Sequence, residues 1–188
     1  GDLATLRKLA DQNAEVQIDK RSTRQSGSLE QRSADDGAAL LGLESLDHIV
    51  CFDMAQLQGD EKVGACVVLR NGRPSKKEYR TFIVKQDVKD DLRMMTEVVE
   101  RWLKRQEEWP DLLLLDGGRT HLSYIDSMLQ EHGVGDRFHL AALAKREETL
   151  HRRSADPMIL DRMGRVIVHA RDEAHRFVNS YHRKRRSK

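Results

Sequence analysis

Hydrophobic positions along this chain follow two different periods, and the switches between them mark its elements. Leu3, Leu6, Ala10, Ala14 and Ile18 fall on one helical stripe and predict a helix over 3–19. From 20 to 36 the residues turn to Arg, Ser, Gln, Gly and Asp, with Leu29 the one sizeable apolar group, which reads as a linker or arm. Ala38 to Leu41 makes a short helical segment stopped at Gly42. We place a boundary near Leu46, giving a helix-and-linker arm over 1–46 and one domain over 47–188.

Past that boundary the period shortens. His48–Met54 and Val63–Leu69 read as strands, and Asn71-Gly72 is a strong hairpin turn into a third strand over Lys77–Val84. Leu92, Met95, Val98, Val99 and Trp102 restore the helical stripe over 90–106, with acids at its amino end. Leu112 to Leu115 are four consecutive leucines, a strand buried on both faces, and they end at Asp116-Gly117-Gly118. A second helix follows to Gly133, then a strand over His139–Ala144. Residues 145–164 read as irregular, with Met158–Leu160 a short strand candidate, and a last helix runs over 165–181.

The order β-β-β-α-β-α-β-loop-α predicts an α/β fold with a ribonuclease H-like arrangement. Its five-stranded mixed sheet has three antiparallel strands, then alternating helix and strand, with helices flanking it and an N-terminal helical arm. The first and fourth strands then lie side by side and parallel, about 4.8 Å apart. Asp53, near the end of the first, would meet Asp116 at the end of the fourth. Two carboxylates so close do not both ionise cheaply, and a hard divalent cation resolves the repulsion. Asp116 alone is equally readable as a cap for the next helix. In Arg171-Asp172-Glu173-Ala174-His175-Arg176, His175 sits on the shoulder of the buried stripe; it reads either as a surface residue or as a third ligand or proton carrier.

Composition narrows the setting. The 188 residues are 38% hydrophobic and 34% charged, with net charge +2, yet five of the last eight residues are Lys or Arg and no acid is among them. Such a run is either a solvated tail or a contact for phosphates. Two cysteines, Cys51 and Cys66, lie in apolar runs without ligand spacing, which argues against structural zinc and for a reducing compartment. No apolar run approaches membrane-spanning length and no signal peptide is seen, so a cytoplasmic protein with no membrane partner is expected.

These residues resemble a known family. Cys51-Phe52-Asp53-Met54, Leu112 to Gly118, and Arg171 to Phe177 with His182-Arg183-Lys184 are similar to the C-terminal endonuclease half of UvrC, the incision subunit of bacterial nucleotide excision repair. Glu78-Tyr79-Arg80, Asp90-Asp91 and Ala144-Lys145-Arg146 fit the same pattern, and the resemblance runs from about Asp47 to Lys188.

It implies an Asp-Asp-His site of Asp53, Asp116 and His175 that is both catalytic and metal-binding, Mg²⁺ or Mn²⁺ as cofactor, and Asp91 as a supporting acid. The implied reaction is incision of the damaged strand of double-stranded DNA on the 5′ side of a lesion. Arg119, Lys145, Arg176, Arg183, Lys184, Arg185 and Arg186 are the candidate DNA contacts. A damage-loading, UvrB-like partner would engage parts of a longer protein, and the chain reads as a piece of one.

Two stretches depart from the family pattern: Met54-Ala55-Gln56 replaces Ile-Ser-His, and Arg119-Thr120-His121 replaces Lys-Gly-Gln. The alternative is a catalytically silent module of the same fold that binds DNA or a partner. A nucleotide hydrolase is set aside, because the chain has no G-x-x-x-x-G-K-[ST] loop.

Overall fold

A computed structural model describes residues 28–57, 61–84, 90–144, 146 and 148–186, with side chains described as far as Tyr181. The helix predicted over 3–19 lies outside the described residues. The described chain forms an eight-stranded mixed sheet with helices on both faces. Its strands are β1 (His48–Gln56), β2 (Lys62–Arg70), β3 (Arg73–Pro74), β4 (Arg80–Val84), β5 (Leu112–Asp116), β6 (His139–Ala144), β7 (Thr149–Arg152) and β8 (Met158–Ile159). Its helices are α1 (Leu29–Leu41), α2 (Asp91–Leu103), α3 (Arg119–Glu131) and α4 (Arg165–Arg186).

The five expected strands form the body of the sheet. β2 pairs antiparallel with both β1 and β4, while β1, β5 and β6 run parallel. The other three strands are short additions. β3 is the return of the hairpin at Asn71-Gly72, whose φ values of 54° and 80° give the primed turn that matches strand twist. β7 and β8 lie in the stretch expected to be irregular; β8 coincides with the Met158 candidate, and β7 is an addition.

The third strand starts later than its composition suggests, because a 3₁₀ turn occupies Lys76–Glu78. Ser75 Oγ donates to Glu78 Oε2 at 2.7 Å and Arg70 holds both oxygens of Glu78 (2.9 and 3.0 Å), which folds that segment out of the ladder.

The central strands alternate between two cores, and this alternation places the site. Val50, Phe52, Leu113 and Leu115 pack on Met95, Val98, Val99 and Trp102 of α2 and on Leu122, Ile125 and Leu129 of α3. Ile49, Cys51, Leu112 and Leu114 pack on Ile167, Ala170 and Ala174 of α4. Each of the four leucines of β5 is buried, worth roughly 1.5–3 kcal/mol per side chain against exposure. By the same two-residue period, Asp53 and Asp116 face α4.

The linker expected over 20–36 is corrected where the structure describes it: α1 is continuous from Leu29. Ser28 caps it by accepting from Gln31 N–H (3.0 Å), and Gly42 (φ 71°) closes it. Its buried face is Ala34, Gly37 and Ala38, too small to register as a hydrophobic stripe. Smallness is what the packing needs, since a Cβ on Gly37 would lie 2.7 Å from Val166 Cγ1 and 2.8 Å from Leu46 Cδ2.

Candidate metal centre

β1 and β5 are in register from Ile49 with Leu112 to Phe52 with Leu115. One further step along each strand brings Asp53 beside Asp116. Both are buried, 3% and 6% exposed; Asp116 is the last residue of β5 and Asp53 lies just past the pairing of β1 with β5, at the carboxyl side of the parallel strands where ligands of open α/β sheets collect. His175 reaches them from α4, with Nδ1 3.2 Å from Asp53 Oδ2. The carboxylate accepts, which assigns the proton to Nδ1. One ligand atom from each of the three lies within 4.8 Å of the others.

Local structure holds each acid. Met54 N–H donates to Asp53 Oδ1 at 2.8 Å, which with His175 occupies both carboxylate oxygens. Asp116 ends β5 at a tight turn: Gly117 N–H donates to Leu143 O (3.2 Å), and Gly118 N–H donates to His121 Nδ1 (3.2 Å). A Cβ on Gly117 would lie 2.5 Å from the His121 ring, so only glycine fits between the acid and that capping histidine. His121, one of the departures in sequence, thus packs on the turn that carries Asp116.

Cys51 lies two residues before Asp53 on the same face of β1. Burial, reinforced by the charges of Asp116 and Asp53, pushes its thiol well above the usual range, and Cys51 is not one of the three grouped residues. Two carboxylates and an imidazole converging on one point are a donor set suited to a hard or borderline divalent ion such as Mg²⁺ or Mn²⁺.

The remaining candidates are placed as follows. Asp91 opens α2 on the opposite face of the sheet, exposed and ion-paired to Lys62 of β2, and is not within the three-residue cluster. Arg119 is the exposed first residue of α3, immediately after the Asp116 turn. Arg176 is half-exposed beside His175, its Nε donating to both oxygens of Glu173 (2.5 and 3.1 Å). Lys145 lies outside the described residues. Arg183 to Arg186 form the end of α4, and their side chains are not described.

Sequence reasoning missed Lys62 and Glu173 as partners of those candidates. Glu173 is 7% exposed, and its spacing of three residues before Arg176 was the available signal.

The UvrC RNase H endonuclease domain family model matches residues 38–178. The chain belongs to that family. UvrABC system protein C of Salinibacter ruber is 36% identical across 100% of this chain and 32% of that protein. The Porphyromonas gingivalis protein of the same name is 37% identical over 100% of this chain and 34% of its own length. That of Gemmatimonas aurantiaca is 40% identical over 78% of this chain and 25% of its length.

The UvrC-family chain therefore spans 25% to 34% of the length of these relatives. Among solved structures, human endonuclease V is similar at 13% identity and a TM-score of 0.39, over 70% of this chain and 85% of that one. Among the described residues, no helix is long and apolar enough to cross a membrane.

Proposed function

We propose that this chain is a divalent-metal-dependent DNA endonuclease domain that cuts the damaged strand 5′ of a lesion by phosphodiester hydrolysis. The observation that carries the reading is the convergence of Asp53, Asp116 and His175 from three separate elements onto one point. Asp53 and Asp116 would hold Mg²⁺ or Mn²⁺. Such an ion, when bound, supplies Lewis-acid polarisation of a phosphate and a more acidic water.

The chain's own residues do the rest. Asp53 orients His175 through Nδ1, leaving Nε2 as the nitrogen that can take or give a proton at the reacting oxygens. A ligand that engages Nε2 keeps the Asp53 bond; one that engages Nδ1 must break it. Arg119 and Arg176, with Lys145 and the basic residues 183–186, contact the DNA backbone without reading bases. Asp91, at the start of α2 and ion-paired to Lys62 of β2, would play a supporting part at one remove from the three-residue cluster. Lesion recognition and loading fall to a UvrB-like partner acting through the longer protein.

The test is incision of a lesion-bearing duplex by the longer protein with its loading partners. D53N and D116N should each abolish the 5′ cut while leaving DNA binding in place. Full incision by either variant overturns the assignment and favours the silent binding module.

A further inference from the structure

The helix that carries His175 also carries Arg171, whose ion pair with Glu148 has no part in the proposed chemistry. Arg171 precedes His175 by one turn of α4, so the two side chains leave the same flank of the helix. The Arg171 side chain is only 11% exposed. Its Nη2 donates to Glu148 Oε1 at 2.8 Å and to Asp172 Oδ1 at 3.0 Å, while Nη1 is buried with no hydrogen-bond partner among the described residues.

Glu148 lies past the end of β6, in the connection to β7. The sheet order is β1-β5-β6, and α4 packs mainly over β1 and β2. The Arg171–Glu148 bond thus links a helix seated mainly on β1 and β2 to the far side of β5, the strand that ends in Asp116. The Arg171 charge is also felt by Cys51, two residues before Asp53.

Two features set this pair apart from an ordinary surface bridge. Glu148 adopts φ 51°, a left-handed conformation disfavoured for a residue with a Cβ, and its carbonyl is tied down by Leu160 N–H at 3.0 Å. A buried guanidinium is moreover weak evidence for stability, because an apolar residue of similar volume often serves as well. What a directional bond adds is orientation. Around Arg171 and His175, α4 meets the sheet through the small residues Ala170 and Ala174, with Val166, Ile167 and Val178 packed at the turns on either side; the alanines by themselves do not set how this turn faces Asp53. His175 is half-exposed, and its ring is held by the bond to Asp53.

We propose that Arg171 and Glu148 are a positioning pair: their ion pair fixes the rotation of α4 so that His175 Nδ1 stays on Asp53 and the three groups remain within reach of one cation. The cation part rests on the functional reading above; the orientation part does not.

The first test is therefore made without metal. Nitrogen-15 NMR of the imidazoles in the full 188-residue chain at pH 8, with His175 assigned by the loss of its signal in H175Q, reads its tautomer directly. The native chain is expected to hold the Nδ1–H form. E148Q, which is isosteric and at a partly exposed side chain, and R171K should each shift the ring toward the Nε2–H form favoured in water. The double variant should do no more than either alone. E173Q breaks the ion pair on the opposite flank of the same helix and should leave His175 as in the native chain.

An unchanged tautomer in both E148Q and R171K overturns the proposal, as does an equal shift in E173Q, which would mean general loosening. Titration with Mn²⁺ then separates the two readings. The expected result is an affinity about 10-fold weaker in E148Q, as when an outer partner of a ligand is lost. A tautomer shift with no Mn²⁺ binding even to the native chain would retain the positioning pair and remove the cation reading.

Discussion

Asp53 and Asp116 stand one step beyond the Phe52–Leu115 register pair, so two buried carboxylates lie where the pairing of two neighbouring parallel strands stops, on the same face of the sheet. Neither acid is there for stability, since like charges at that spacing oppose folding. D53N and D116N should accordingly melt at or above the native temperature in the absence of metal, as measured by calorimetry. Mn²⁺ affinity should fall by more than the about 10–100-fold expected for losing an outer partner. Anomalous scattering from a crystal soaked in Mn²⁺ should place an ion beside both acids in the native chain and in neither variant. An ordered site that stays empty at high Mn²⁺ would count against a metal centre.

Acid should weaken the fold through Glu78. Its hydrogen bonds from Arg70, and secondarily from Ser75, lower its pKa from 4.5 to about 2. A depressed carboxylate contributes stability that is complete above the unfolded value near 4.5 and is lost as pH falls toward about 2. The urea midpoint of the native chain should therefore drop more steeply between those limits than that of E78Q. Parallel slopes would remove Glu78 from the account.

Helix α1 should be intolerant of bulk at Gly37. The Val166 and Leu46 methyl groups already occupy the space of a Cβ. G37L should cost about 1–3 kcal/mol, the usual range for overpacking, measured by chemical denaturation. Native stability in G37L would mean that α1 contributes little to the fold.

Both thiols should be silent in the native protein. Cys51 and Cys66 are fully buried, and burial pushes both well above the ordinary range. A thiol reagent such as Ellman's should therefore react only at the rate of unfolding, with two equivalents appearing together in denaturant. Fast reaction of either thiol under native conditions would show local opening of the central strands.

What was legible in the sequence was what short-range periodicity records. Four leucines closing on Asp116 could only be a central strand, and strand order alone set Asp53 beside that acid. The shoulder position of His175 on its helix was likewise readable. Other features left no such trace. The full length of α1 leaves no hydrophobic stripe because its contact face is Ala34, Gly37 and Ala38, where close approach replaces hydrophobic bulk. β7 offers one buried side chain, Leu150, and its pairing with β6 exists only once the sheet is assembled.

The bond from His175 to Asp53 joins positions 122 residues apart, and no local pattern can encode which rotation of α4 permits it. The same holds for Glu148, delivered to Arg171 by a left-handed residue in a connection that reads as irregular. Sequence by itself determined which strands and acids the protein has, because burial and backbone pairing act residue by residue. The tertiary structure decided which side chains meet, because that depends on how helices rotate and approach over a sheet already formed.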